Sequence, residues 1–361
     1  MQSKKTLYLE LMRILAAFFV IFNHTRTTGF FLFSLYEPNS FQYWICLIFS
    51  IFCKFSVPLF FMISGALLLD RQSESFKCLY THRVGHMCFI LIAWSFFYYL
   101  TEIRAGNETF SLVRFFSRLY DSNWNVSYWY LYAFIPFLMS LPLLQRIAQN
   151  LSNREYLYLL ALYVAFNMIL PSVQYLLWHG DHNLNTSLRL AWISSNIFIY
   201  PLIGYFLQHR AKDYWNMKKI LLLWSANILT ILLSCYLTYL RAKITGICDE
   251  DNSQTFHNTF VLINCITIFV TLQYWGNHSK ILGKLQKPII SIGSCTFGIY
   301  LLHIYIKDFT SLTPRVWHIF QEQIHMPAII YAFFYCAAIF VCGYLITLVI
   351  KHIPIIRKLV S

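Results

Sequence analysis

The sequence predicts an all-α polytopic membrane protein, a bundle of about ten transmembrane helices with both termini cytoplasmic. Three observations carry that prediction. Hydrophobic residues make up 58% of the 361 positions and charged residues only 12%, against roughly 25% charged in soluble domains. Apolar stretches of membrane-spanning length recur along the chain, at about 7–24, 43–69, 85–101, 127–144, 156–178, 189–207, 219–240, 258–275, 289–307 and 328–350. Lys and Arg are also shared unequally between alternate loops. With the N-terminus inside, the outer loops hold Arg26, Arg104, Arg114, Arg118, Arg189, Arg241, Lys243, Lys307 and Arg315, and helices hold Arg13 and Lys54. The rest of the 28 fall in inner loops and tails, among them Arg71, Lys77, Arg83, Arg210, Lys212, Lys218 and Lys219. That bias, with an even number of crossings, puts both termini on the cytoplasmic side. The net charge of +13 is then a topogenic signal, and nucleic acid is not an expected partner.

The first stretch, LYLELMRILAAFFVIF from Leu7 to Phe22, contains Glu10 and Arg13 and runs into Asn23-His24. Charges inside a membrane helix are costly and usually face a protein interior for a functional reason. Arg13 and His24 are 11 positions apart, so on a helix they point the same way, about 16 Å from each other. A fixed cation and an imidazole that titrates near neutrality on one stripe suggest a reaction path. The Lys4-Lys5 start shows no small-residue cleavage pattern, so this helix is expected to stay in the fold.

The second stretch carries Lys54, a helix-bending Pro58, and the small pair Ser64-Gly65, which permits close helix approach. Lys54 is a candidate partner for Glu10. The third opens on His82, Arg83 and His86, the fourth on Tyr128-Trp129-Tyr130-Leu131-Tyr132, and the ninth contains Gly298 and His303. Trp44, Trp124, Trp178, Trp192 and Trp317 fall towards the outer interface, as an aromatic belt would. Of the ten Cys, only Cys248 is in an outer loop, so no disulfide framework is expected. No Cys or His spacing suggests a zinc site, and no metal is expected. The acidic run Asp249-Glu250-Asp251 belongs to the outer loop between the seventh and eighth helices. No loop is long enough for a separate soluble domain, so residues 1–361 read as a single integral membrane domain with its chemistry in the bundle or its short loops.

Four motifs in order over nearly the whole chain resemble the membrane acyltransferase-3 family: Arg13-x10-His24, Phe60-Phe61-Met62-Ile63-Ser64-Gly65, Tyr128-Trp129-Tyr130-Leu131, and Gly298-Ile299-Tyr300-Leu301-Leu302-His303. The resemblance implies a membrane O-acyltransferase that moves an acyl group, most often acetyl, from a cytoplasmic donor to a sugar hydroxyl. The acceptor would be a surface or envelope glycan, and the reaction polysaccharide O-acetylation at a bacterial inner membrane. It also implies that Arg13 and His24 are the essential pair. Family members often carry two basic residues three or four apart at the start of helix three. Here His82, Arg83 and His86 stand there, so the donor-phosphate role carries over to Arg83.

The chemistry of the residues fits. Acyl-CoA, with acetyl-CoA first in line, would be a co-substrate, and no further cofactor is needed. Its phosphates require cations at the inner mouth, which Arg83, Lys77 and Arg71 can supply. A pantetheine arm threaded past Arg13 would bring the thioester towards His24. There His24 acts as general base on the acceptor hydroxyl or carries the acyl group itself. Arg13 would bind a donor carbonyl or phosphate, held by Glu10 one turn away. Ser64 is a second possible acyl carrier but lacks a local activating partner. Ser64-Gly65 and the Phe-rich helices would shape the acyl tunnel. Tyr128 and Trp129 would flank the outer mouth, and His303 is a further site candidate. Acceptor choice, whether glycan or lipid-linked sugar, falls to the outer loops 102–126 and 241–257. The rival reading is a transporter or flippase of a lipid-linked sugar or small anion, using Arg13 and His24 as its substrate or proton site. The inverted repeat common in transporters is not visible.

Overall fold

The computed structural model describes residues 7–246 and 256–360. The Lys4-Lys5 start, Cys248, the acidic run Asp249-Glu250-Asp251 and most of the 241–257 loop lie outside the described residues. Among the described residues the regular structure is helical throughout, without a strand. The principal helices are α1 (Leu7–Asn23), α2 (Phe41–Phe52), α3 (Ser56–Leu68), α4 (Gly85–Arg104), α5 (Leu112–Asp121), α6 (Trp129–Asn150) and α7 (Asn153–Tyr163). They continue as α8 (Leu170–Trp178), α9 (Ile199–Tyr205), α10 (Met217–Thr245), α11 (Val261–His278), α12 (Gln286–Phe309), α13 (Leu312–Trp317) and α14 (Ala328–His352).

Local chemistry starts these helices where the sequence turns polar. Ser40 caps α2 by accepting from the Tyr43 amide, Asn216 caps α10 through Lys219, and Ser152 with Glu155 forms a capping box on α7. Within the described residues seven helical segments are long and apolar enough to cross a membrane: Phe41–Leu68, Phe76–Arg104, Val126–Asn150, Asn153–Trp178, Met217–Thr245, Gln286–Phe309 and Ala328–His352. The other three predicted spans have different outcomes. The stretch 7–24 forms α1, whose 17 residues include Glu10 and Arg13. The stretch 258–275 forms α11, which carries Asn264, Gln273 and Asn277. In 189–207 only Ile199 onward is helical, continuing as a π turn over Phe206–Arg210. Ser194, Ser195 and Asn196 precede that start. Such side chains compete for backbone groups and disfavour a helix interior, and Ser194 Oγ does bond elsewhere, donating to Asn167 Oδ1.

The chain forms two compact units, Met1–Arg71 with Leu144–Ile290, and Gln72–Leu143 with Ser291–Ser361. In the first, α3 and α9 cross at backbone contact. A Cβ on Gly65 would lie 2.0 Å from the Pro201 carbonyl oxygen, and one on Gly204 would lie 2.0 Å from that of Met62. Helices α1 and α11 run antiparallel. Tyr8 packs on Gly276 at one end, and its hydroxyl donates to Gln208 Oε1 (2.6 Å), which also accepts from Gln273 (3.1 Å). At the other end Asn23 and Asn264 donate to the carbonyls of Cys53 (3.3 Å) and Phe52 (2.7 Å), exposed where α2 breaks from α3.

The second unit has an aromatic core of Tyr98, Tyr99, Phe115 and Trp124 with Ile304. Trp124 is buried in this core: its indole donates to the Phe115 carbonyl (3.1 Å) and Arg118 lies 4.3 Å over its ring. Helices α12 and α14 pack through Gly298, where a Cβ would meet the Thr347 side chain at 2.4 Å.

Candidate functional site

The sequence turns α1 into a turn immediately after Asn23, and His24 is the first residue of that turn. Its backbone amide donates to the Ile21 carbonyl (2.9 Å), and its ring Nδ1 lies 2.8 Å from the Val20 carbonyl oxygen. A carbonyl only accepts, so Nδ1 carries the proton and Nε2 is the basic nitrogen. The flanking residues hold this turn. Asn23 donates to Ser56 Oγ (2.8 Å) as well as to the Cys53 carbonyl. Thr25 Oγ1 donates to the Phe22 carbonyl (2.7 Å) and accepts from the Phe30 amide (3.0 Å). The Lys54 ammonium lies 4.4 Å above the Phe30 ring.

Arg13 is part of the regular helix, and its guanidinium pairs with Glu10 at 2.8 Å. Glu10 is buried while Arg13 is partly open. The second Glu10 oxygen, Oε2, is buried with no hydrogen-bond partner among the described residues. The pairing of Glu10 with Lys54 suggested by the sequence does not occur. Lys54 sits beside Cys53, at the Asn23 end of α1, about 20 Å along the helix from Glu10.

The remaining sequence candidates are distributed over both units. In the first, Ser64 Oγ donates to the Phe60 carbonyl (2.8 Å), and the open side of Gly65 is filled by the Pro201 backbone. Gly65 therefore provides the close helix approach that its small size permits. Arg71 is exposed, with Nε donating to the Leu67 carbonyl (3.0 Å). In the second unit Arg83 is paired with Glu74 through both Nε (3.0 Å) and Nη2, and Lys77 is exposed. Tyr128, expected at an open mouth, is instead buried: the 3₁₀ turn Val126–Tyr128 tucks it inwards, its hydroxyl 3.5 Å from the Leu301 carbonyl. Trp129, the next residue, is the exposed aromatic. His303 is buried, with Nδ1 2.6 Å from the Tyr300 carbonyl.

Residues 6–348 match the family model for an acyltransferase domain of the acyltransferase-3 type. The chain belongs to the acyltransferase-3 family. No curated protein and no solved structure matches it. This acyltransferase-3 protein is accordingly an enzyme of acyl transfer to a hydroxyl, and its seven apolar helices make it a multi-pass membrane protein.

Among its described residues the first unit of the acyltransferase includes two large cavities beside a small one at His257. One of about 580 Å³ lies among the ends of α8 and α10, the 179–194 segment and Phe256. The other, about 490 Å³, is bounded by Lys212, Trp215, Tyr274 and His278, at the Tyr8 end of α11. Among the described residues no group of His, Cys, Asp and Glu could hold a metal ion. Sequence reasoning singled out neither cavity, because their walls come from loop and helix-end residues far apart in the chain. Nor did it see how Asn23, Thr25 and Phe30 would fix the His24 turn, since only tertiary contacts give those residue types a role.

Proposed function

We propose that this acyltransferase moves an acetyl group from cytoplasmic acetyl-CoA to a hydroxyl of a surface or envelope glycan, as a bacterial inner-membrane protein of ten crossings with both termini cytoplasmic. One acyltransferase domain would span both compact units, in keeping with a family match that runs from residue 6 to 348. The observation that carries the reading is the His24 ring, held by Nδ1 on the Val20 carbonyl at the end of a helix that also carries the Glu10–Arg13 pair.

In this reading the acceptor hydroxyl gives its proton to His24 Nε2 as its oxygen attacks the thioester carbonyl. The carbon–sulfur bond breaks, the acetyl group passes to the sugar oxygen, and the thiolate of CoA takes up the proton from His24. Arg13 holds the donor by a carbonyl or phosphate, using guanidinium donors not taken by Glu10. Arg83, Lys77 and Arg71 meet the donor phosphates, Arg83 by exchanging Glu74 for phosphate.

The test is transfer of radiolabelled acetyl from acetyl-CoA to endogenous glycan in membranes, comparing wild type with His24→Ala and Arg13→Ala at matched expression. Both variants are expected to lose at least about a hundredfold, the range for removing a general base. Label surviving in His24→Ala would overturn the mechanism. Absence of label in wild type would overturn the acetyl-CoA and glycan assignment and point to another acyl donor or acceptor.

A further inference from the structure

The 580 Å³ cavity of the first unit has a lining that points to a particular ligand. Two guanidiniums, Arg189 and Arg241, and two imidazoles, His179 and His182, border it. Its polar atoms are also unfinished. Asn167 Oδ1 accepts from Ser194 Oγ, which leaves Nδ2 as the remaining donor of that amide. Asn167 Nδ2 and the Tyr175 hydroxyl are both buried without a hydrogen-bond partner among the described residues. Such atoms are normally satisfied in a folded protein. Beside them Tyr175 and Phe256 form an aromatic wall, ring centroids 4.8 Å apart, of the kind on which the C–H face of a sugar ring can pack. The volume lies within the range of small-molecule sites, roughly 300–1,000 Å³.

The cavity is at the His24 end of the unit. Its wall residue Phe256 precedes His257, whose ring is 5.6 Å from that of Phe30, and the Phe30 amide donates to Thr25, the neighbour of His24. Tyr239, near the end of α10, reaches Asn39 in the segment after His24 (3.1 Å). At the opposite end of α1, where Tyr8 packs on Gly276, lies the cavity by Tyr274 and His278.

We infer that this cavity is the acceptor site and that the acceptor is an anionic glycan, its carboxylate or phosphate held by Arg189 and Arg241. Guanidinium groups bind such oxyanions in a bidentate fork, while Asn167 and Tyr175 meet sugar hydroxyls. The inference rests on the proposed O-acyltransferase reading of His24, and it names the substrate class that the reading leaves open.

The test is binding to the full-length protein purified in detergent micelles, with no acyl donor present. Three probes separate the possibilities: tetragalacturonic acid for a carboxylate, mannose 6-phosphate for a phosphate, and maltotetraose as the neutral control. At least one anionic probe should bind about tenfold or more tightly than maltotetraose, the loss expected for one charge-assisted hydrogen bond. Arg189→Gln and Arg241→Gln should each remove most of that preference, and Arg189→Lys should restore part of it. Equal affinity for all three probes, no binding of either anion, or wild-type affinity in both Gln variants would each overturn the inference. Because no transfer is read, the two readings fail separately. Anion binding in a protein devoid of transfer would leave the cavity and remove the enzyme mechanism. Transfer to neutral glycans with no anion preference would do the reverse.

Discussion

At the end of α1 the Val20 carbonyl holds His24 Nδ1, and this contact decides which ring nitrogen is basic. The same nitrogen would serve a general base or an acyl carrier, but only the carrier leaves acetyl on the protein. Protein incubated with labelled acetyl-CoA and no acceptor is expected to stay unlabelled; label removed by His24→Ala would show the carrier route instead. Arg13 has its own requirement. Glu10 is buried and takes one guanidinium nitrogen at 2.8 Å, so it fixes which donors remain for a ligand. Glu10→Gln should keep the fold, because its shape is retained, and reduce transfer by about tenfold, the equivalent of one charged hydrogen bond of roughly 1.5–3 kcal/mol. Transfer kinetics in membranes would read the change, and an unchanged rate would mean that Arg13 needs no such partner.

Among the elements, the α3–α9 crossing is the most constrained. Gly65 and Gly204 each face a neighbouring backbone with no space for a methyl group, and membrane helices rely on such small residues because lipid offers little drive for their association. Gly65→Ala or Gly204→Ala must push the two backbones apart, an overpacking cost of about 1–3 kcal/mol or more. Gly283, with open space around its would-be Cβ, is the control. Thermal unfolding in detergent should fall by several degrees for the first two variants and stay put for Gly283→Ala. The amphipathic helix α5 makes a contrasting point. The 102–126 stretch reads as an acceptor-selecting loop, yet residues 112–121 form a helix, because Ser111 caps it through the Arg114 amide. Its Phe115 enters the aromatic core while Val113, Phe116 and Tyr120 stay exposed, which gives this segment a packing role the polar sequence around it did not suggest.

For the molecule as a whole, the family match across residues 6–348 passes through both compact units, each built from two separated stretches of chain. Ten crossings with cytoplasmic termini require the 183 region to lie outside, which also puts the Arg189 and Arg241 cavity there. Reporter fusions in cells should be active as cytoplasmic tags at both ends of the chain and as external tags after Asn183. A cytoplasmic signal at Asn183 would refute both the orientation and the outward position of the cavity.

The sequence alone carries the helical membrane class, the family, and the 11-position spacing between Arg13 and His24. Those properties are local or periodic: apolar runs, charge bias, and an 11-residue spacing are read along one chain without knowing what packs on it. It overestimated the 189–207 span, where Ser194, Ser195 and Asn196 delay the helix to Ile199. It also put Tyr128 at a mouth, because an aromatic's position in a motif does not say which way a 3₁₀ turn faces it. Packing in three dimensions sets Lys54 against Phe30 and not Glu10, fills the open side of Gly65 with Pro201, and brings Asn167, Tyr175, Arg189, Arg241 and Phe256 to one cavity. Each of these depends on residues far apart in the chain meeting in space, and no spacing along a sequence encodes which partners a packed bundle brings together.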